Sequence, residues 1–352
     1  MAGGDKHAMV KEKLMRSTLS DSAWKSLQVL TIIAVFAVFA GQTILLWGWQ
    51  QTTKQASSHP ASSQKMFGTP QQAAEALITA AGNYDVPSLL EIFGPDGRDL
   101  VASADPVRDK SIAKDFAAKA HERNSVTIDR QNQDRAILSV GDDNWPFPVP
   151  IVRSNGRWYF NAKEGREEIL FRRIGANELD AIQICRGFVE AQKEYASEVH
   201  DNSGIHQYAQ KIFSTPGKQD GLYWQNADGT PSGPISEAVA KAINEGYSPG
   251  KPGFHGYYFK VLKGQGPAAP LGQLDYVIEG VMIGGFGLVA VPAEYRVTGV
   301  KTFMVSYDGI VYEKDLGPKS VEIVKNMDRY NPDKTWQRTN DHWPANVSSS
   351  GN

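Results

Sequence analysis

From Leu27 to Trp49 the chain carries no Asp, Glu, Lys or Arg and is dominated by Leu, Ile, Val, Ala and Phe. At about 1.5 Å per helical residue, such a run reaches across a hydrocarbon core of ~30 Å. The run therefore predicts a single transmembrane helix over 27–49, with Trp47 and Trp49 at the membrane interface, where amphipathic indoles prefer to lie. The alternative is a cleaved signal peptide, with Val38 and Ala40 in the small-residue positions before a cut at Gly41. The retained anchor is favoured, because Ile44, Leu45, Leu46, Trp47 and Trp49 continue the apolar pattern beyond that cut.

Orientation follows from the short leading segment. Lys6, Lys11, Lys13, Arg16 and Lys25 outnumber Asp5, Glu12 and Asp21, which sets the N-terminus inside. Residues 1–26 then lie in the cytoplasm, the inner membrane holds 27–49, and the remainder stands in the periplasm of a bacterial cell. The alternative, after cleavage, is secretion to the periplasm. Residues 50–65 are polar and Ser-rich, a flexible tether. A formal charge of −2, with 22% charged and 41% hydrophobic residues, describes ordinary globular protein and no nucleic-acid binder.

Residues 66–163 read as a compact α+β domain. Thr69-Pro70-Gln71-Gln72 combines a capping hydroxyl, a first-turn proline and a capping-box glutamine. Further helices are expected over Pro87–Phe93, stopped by Gly94, and from Asp105-Pro106 onward. The period then shortens. Strands are expected around Val126 and Ile128, 136–140, 149–152 and 158–160, separated by Asp134, Gly141-Asp142-Asp143 and Asn155-Gly156.

Residues 164–318 predict a second α+β domain, with 319–352 as a partly disordered extension. Ala181, Ile182, Cys185, Phe188, Val189, Tyr195, Ala196 and Val199 recur at helical spacing, so a long connecting helix is expected over 164–200, with a break at Gly175. A short helix over Ile235–Asn244 follows. Strands are expected over 257–262, 282–291, 301–306 and 310–312, the last two joined by an Asp308-Gly309 turn, giving an antiparallel sheet against the long helix.

The order of helices then meander, closed by Arg157-Trp158-Tyr159-Phe160, resembles the curved-sheet cone of the nuclear-transport-factor-two-like superfamily. That resemblance implies a concavity able to hold a ligand, with Asp142, Asp143 and Trp145 near its rim. A more specific resemblance rests on Glu167-Glu168-Ile169-Leu170, Arg172-Arg173-Ile174-Gly175, Asp220-Gly221-Leu222-Tyr223-Trp224, His255-Gly256-Tyr257-Tyr258-Phe259, Gly264-Gln265-Gly266-Pro267-Ala268-Ala269 and Tyr312-Glu313-Lys314-Asp315-Leu316-Gly317. These stretches are similar to the bacterial family known as domain of unknown function 2950, which implies a secreted or envelope-associated protein and brings no assigned active-site residues.

Residues 175–317 also resemble the globular half of type IV pilins and pseudopilins. A pilin carries a glutamate five residues after its processing site, and the corresponding position after Gly41 holds Leu46. The resemblance thus implies a pilin-like module rather than a filament subunit.

No catalytic, cofactor or metal constellation assembles from the sequence. His200, Asp201 and His206 lack the third or fourth ligand that zinc needs. Gly284-Gly285-Phe286-Gly287 lacks the Lys-Ser/Thr ending of a phosphate loop. Cys185 sits on the apolar helical stripe and reads as a small buried hydrophobe. The favoured function is a non-catalytic, membrane-anchored periplasmic protein that binds an envelope partner, with Tyr223 and Trp224 as exposed aromatic anchors. The alternatives are an envelope hydrolase using His255 with an acid such as Asp220, and a small-ligand binder using the cone.

Overall fold

A computed structural model describes residues 64–102, 106–236, 240–241, 253 and 255–340. The expected membrane helix over 27–49 and residues 50–63 of the expected tether lie outside these residues. Gln64 and Lys65 at its end are instead held on the first unit, Gln64 Nε2 donating to the Ile92 carbonyl at 2.9 Å and the Lys65 N–H to the Glu91 carbonyl at 2.8 Å. Among the described residues no helix is long and apolar enough to cross a membrane. The chain divides into two compact units at Arg173–Ile174.

The first unit opens with α1 (Pro70–Asn83). Thr69 Oγ1 accepts from the Gln72 N–H at 3.2 Å, and Gln72 Oε1 accepts from the Gly68 N–H at 3.1 Å. The reciprocal bond thus lands one residue ahead of the cap, yet still satisfies a donor at the helix start. Helix α2 (Val86–Phe93) is capped by Asp85 and stops at Gly94, whose φ of 71° suits glycine. A 3-10 turn (Pro95–Gly97) and the short α3 (Arg98–Val101) follow, neither of them expected from periodicity. Helix α4 (Pro106–Glu122) buries Ala117 and Ala120.

Five strands complete the unit: β1 (Asn124–Ile128), β2 (Arg135–Val140), β3 (Trp145–Pro146), β4 (Ile151–Ser154) and β5 (Arg157–Phe160). They form an antiparallel sheet of order β1-β2-β4-β5, with the short β3 also paired to β2. Leu138, Ile151, Trp158 and Phe160 share one core with Ala73, Ala74, Leu77 and Ile78 of α1.

Helix α5 (Ala162–Ala196) runs unbroken through Gly175, contrary to the expected break. A lone glycine costs a helix only about 1 kcal/mol relative to alanine, which the packing of the buried stripe outweighs. The helix ends before Val199, which leaves the periodic face and is 44% exposed. Asn161 begins it, accepting from the Glu164 N–H at 3.2 Å.

In the second unit the strands are β6 (Lys211–Phe213), β7 (Gly221–Gln225), β8 (Pro231–Ser232), β9 (Tyr257–Leu262), β10 (Gly264–Gln265), β11 (Leu274–Asp275), β12 (Val277–Ile278), β13 (Val281–Met282), β14 (Gly287–Pro292), β15 (Lys301–Ser306), β16 (Tyr312–Asp315), β17 (Arg329–Tyr330) and β18 (Gln337–Arg338). The main sheet has the order β18-β16-β15-β14-β9 and is antiparallel throughout. Every residue of the inner strand β14 is buried. Its alternate side chains serve two cores: Leu288 and Ala290 join Phe303, Val305 and the α5 residues Ala181, Cys185 and Phe188, while Val289 and Val291 join Met304, Val324, Tyr330 and Trp336. A strand covered on both faces reads as a continuous apolar run, as this one does.

The single strand expected over 282–291 is split between β13 and β14. A Cβ on Gly284 would stand 2.3 Å from the Asp275 carbonyl oxygen, and Gly285, at φ 133°, lies against the Tyr276 ring. Close approach of the two segments needs glycine there and ends the ladder. Beyond residue 319, α6 (Ser320–Lys325) and β17 bury Val324 and Tyr330, so the stretch expected as an extension is packed into the unit as far as Trp336. Of the helix expected over Ile235–Asn244, Ala240 and Lys241 are helical, and most of the rest lies outside the described residues.

Candidate functional site

His255 occupies the turn that leads into β9, at φ 46°, followed by Gly256 at φ 74°. One face of α5 docks against this turn and against the loop before β15. Asn177 Nδ2 donates to the Thr298 carbonyl at 2.8 Å, and Glu178 Oε1 accepts from the N–H groups of Val300 and Lys301 at 2.9 and 3.0 Å. Asp180 Oδ2 meets His255 Nδ1. A Cβ on Gly256 would stand 2.6 Å from Thr298 Cβ, so glycine permits the approach.

The pairing has a definite chemical content. A carboxylate on Nδ1 holds that nitrogen as the donor and orients the ring, the arrangement of an acid-supported imidazole base. His255 is 43% exposed and Asp180 18% exposed at the side chain, so the ring is reachable from solvent. The acid is not Asp220. That carboxylate is held by Lys211 Nζ at 2.8 Å and by the Thr215 N–H and hydroxyl at 2.7 and 2.8 Å. Asp180 lies 75 residues from His255 in sequence, and only its position three residues after Asn177, on the same helical face, marks it beforehand. Below the turn, Tyr257 donates its hydroxyl to the Lys301 carbonyl at 2.8 Å. Burial pushes that phenol well above its ordinary range, with the Glu178 carboxylate adding to the effect.

Tyr223 and Trp224 stand on β7, not in a loop. Tyr223 is buried and Trp224 half-buried, so neither is an exposed anchor. The physical reason is their place in a small aromatic box. The His200 ring stacks on Tyr195 at 4.0 Å between centroids and meets Trp224 edge-on at 5.6 Å, while Phe213 meets Tyr223 edge-on at 5.3 Å. His200 Nε2 bonds the Tyr195 carbonyl at 2.9 Å and Nδ1 lies 3.3 Å from Gln219 Oε1, so the histidine is committed to the fold. Burial, with Asp201 and Asp220 adding, pushes the Tyr195 phenol up to about 12. His206 Nδ1 bonds the Ala196 carbonyl at 2.9 Å, and among the described residues no group of three or more His, Cys, Asp or Glu is placed to hold a metal ion.

In the first unit Asp142 and Asp143 are exposed on the tight turn between β2 and β3, where Gly141 and Asn144 take φ of 74° and 49°. Trp145 is half-buried beside them. The Arg172 guanidinium lies over the Trp145 ring at 5.3 Å, donates to the Pro146 carbonyl at 2.7 Å and is held by Glu168 at 2.7 Å. Acidic, aromatic and cationic groups thus adjoin on one surface. The space behind it is filled: the Phe147 ring packs within 5.1–6.5 Å of Phe93, Phe116, Trp145 and Phe160. Two clefts of the unit lie at Lys65, one of about 500 Å³ bordered by Glu91 and Arg157 and one of about 340 Å³ bordered by Glu75 and Asp85. Neither is lined by Asp142, Asp143 or Trp145.

The family model described as protein of unknown function (DUF2950) matches residues 64–339. The chain belongs to the DUF2950 family. The match reaches into both compact units of this DUF2950 chain, from the first described residue through β18. It bears out the resemblance carried by Glu167–Leu170, His255–Phe259 and Tyr312–Gly317, whereas the pilin-like resemblance is not confirmed. No curated protein and no solved structure matches the DUF2950 chain.

Proposed function

We propose that this DUF2950 protein is a single-pass inner-membrane protein whose two units stand in the periplasm and bind an envelope protein without catalysing a reaction. The observation that carries this reading is the uncharged apolar run Leu27–Trp49, preceded by Lys6, Lys11, Lys13, Arg16 and Lys25. The side chains with chemical potential support it, because most serve the fold: Asp220 is tied to Lys211 and Thr215, His200 to Tyr195 and Gln219, and Tyr223 is buried. The partner surface is the Asp142, Asp143, Trp145 and Arg172 cluster, which combines an indole and a guanidinium, the side chains that dominate protein interfaces.

The test is crosslinking of an epitope-tagged full chain in its native host, with mass spectrometry of the captured proteins and of the intact N-terminus. A reproducible partner, lost in the Asp142→Ala/Asp143→Ala/Trp145→Ala variant, with Leu27–Trp49 still attached, supports the reading. A new N-terminus near Gly41 and no partner would sink it. A second reading, an envelope hydrolase, is favoured by the Asp180–His255 contact alone. Under it, hydrolysis of an envelope substrate by the purified chain falls by ~100-fold or more in His255→Ala, and retained activity in that variant removes His255 from the chemistry.

A further inference from the structure

We propose that two copies of this chain pair antiparallel through β1, edge to edge, about a twofold axis at Val126. The two margins of the first unit's sheet are treated differently. At β5 the margin is closed by Phe67, which exchanges bonds of 2.8 Å with Trp158 in both directions. At β1 the sheet ends.

The register identifies which backbone groups point outward. Gly141 donates to the Arg123 carbonyl at 2.8 Å and Asp129 donates to the Arg135 carbonyl at 2.9 Å, so positions 123, 125, 127 and 129 face β2. The N–H and C=O groups of Asn124, Val126 and Ile128 therefore point away from it. Among the described residues no backbone group bonds them. Soluble proteins protect such a margin with a charge, a proline or a bulge. β1 reads Asn-Ser-Val-Thr-Ile, holds an unbroken ladder with β2, and has none of these.

The side chains on the outward-bonding positions are those a second copy would cover. Val126 and Ile128 share the sheet face of Leu138 and Ala136, both fully buried, yet Val126 is only half-buried and Ile128 is 40% exposed. With Val126 opposite its own copy, Asn124 lies opposite Ile128 and each facing pair can exchange two backbone bonds. The same register places Arg123 opposite Asp129, and Glu122 opposite Arg130, on both sides of the axis. Sliding the pairing two residues either way would set Arg123 against Thr127 or Gln131. Charge complementarity thus selects a second copy of this chain in one register.

The test uses the full chain in detergent. Facing residues in a bonded antiparallel pair have Cα atoms ~5.5 Å apart, within disulfide range, and the native Cys185 is buried. Under mild oxidation Val126→Cys is expected to give a covalent dimer. Asn124→Cys and Ile128→Cys are each expected to give none alone and to crosslink when mixed. By sedimentation the natural chain is a dimer, Ile128→Lys abolishes it, and Arg123→Asp weakens it about tenfold by opposing like charges twice. The double exchange Arg123→Asp/Asp129→Arg restores it. A natural chain that sediments as a monomer, or a dimer in which the Asn124→Cys and Ile128→Cys mixture fails to crosslink, overturns the proposal, as does unaltered dimerisation in Ile128→Lys.

Discussion

Gln192 and Ala209 exchange two hydrogen bonds: the Gln192 amide donates to the Ala209 carbonyl at 2.8 Å, and the Ala209 N–H donates to Gln192 Oε1 at 2.8 Å. The side chain is fully buried and imitates a strand, satisfying both backbone groups of a residue that has no sheet neighbour. Gln192→Ala leaves a donor and an acceptor buried together, and each such group costs about 1–3 kcal/mol. A loss of about 2–4 kcal/mol in urea unfolding is expected. Gln192→Leu should be no better, because shape is restored but neither bond is.

Two glycines of α5 should respond in opposite directions to the same change. At Gly165 an added Cβ would stand 2.6 Å from Val149 Cγ2 and 3.1 Å from its Cα, so the helix lies against the backbone of the link between β3 and β4 there. At Gly175 nothing lies within 4 Å. Gly175→Ala should raise stability by up to about 1 kcal/mol through helix propensity. Gly165→Ala gains the same propensity but forces the contact apart, and should lower stability by about 1–3 kcal/mol. Thermal unfolding of the two variants side by side measures the difference, and equal shifts would show that α5 does not pack on Val149 as described.

The elements that could be read in advance are those set by neighbours in sequence. The Thr69 cap, the stop at Gly94 and the strands 257–262 and 301–306 depend on side-chain period, a hydroxyl or a positive φ. The strand expected at 310–312 directly after a two-residue Asp308-Gly309 turn runs instead over Tyr312–Asp315, with Met304 opposite Tyr312. Tertiary contacts erased other local signals. Packing carried α5 through Gly175, and Asp275 and Tyr276 divided the run after Met282. The candidate site was less legible still. His255 stands out as a residue, but Asp180 reaches it only after the helix has docked, and Tyr223 and Trp224 looked exposed because their Gly- and Asp-rich surroundings hide the His200 box that buries them.

Cys185 should be chemically silent in the folded protein. The thiol is fully buried, and burial pushes it up to about 12, with the neighbouring Arg186 only partly opposing this. The nucleophile is the thiolate, so both its abundance and its access are suppressed. A thiol reagent at pH 8 is expected to label nothing in the native chain and one site in urea. Rapid labelling without denaturant would mean that the core between α5 and the main sheet opens readily.

Asp220 makes the fold sensitive to acid. Burial works to raise its carboxyl, but the Lys211 ammonium and the N–H and hydroxyl of Thr215 outweigh that and hold it at about 2, below the ordinary value of 3.8. Because the folded-state value is the lower one, the contribution to stability is complete above the unfolded value. It is lost as pH falls from about 4 through about 2. With the carboxylate partly exposed, that contribution is about 1–2 kcal/mol after allowance for solvent screening. Asp220→Asn should remove it, lowering stability at pH 7 while flattening the decline between pH 4 and pH 2. Chemical unfolding of both chains across that range gives the comparison, and parallel pH profiles would assign the acid sensitivity to other carboxylates.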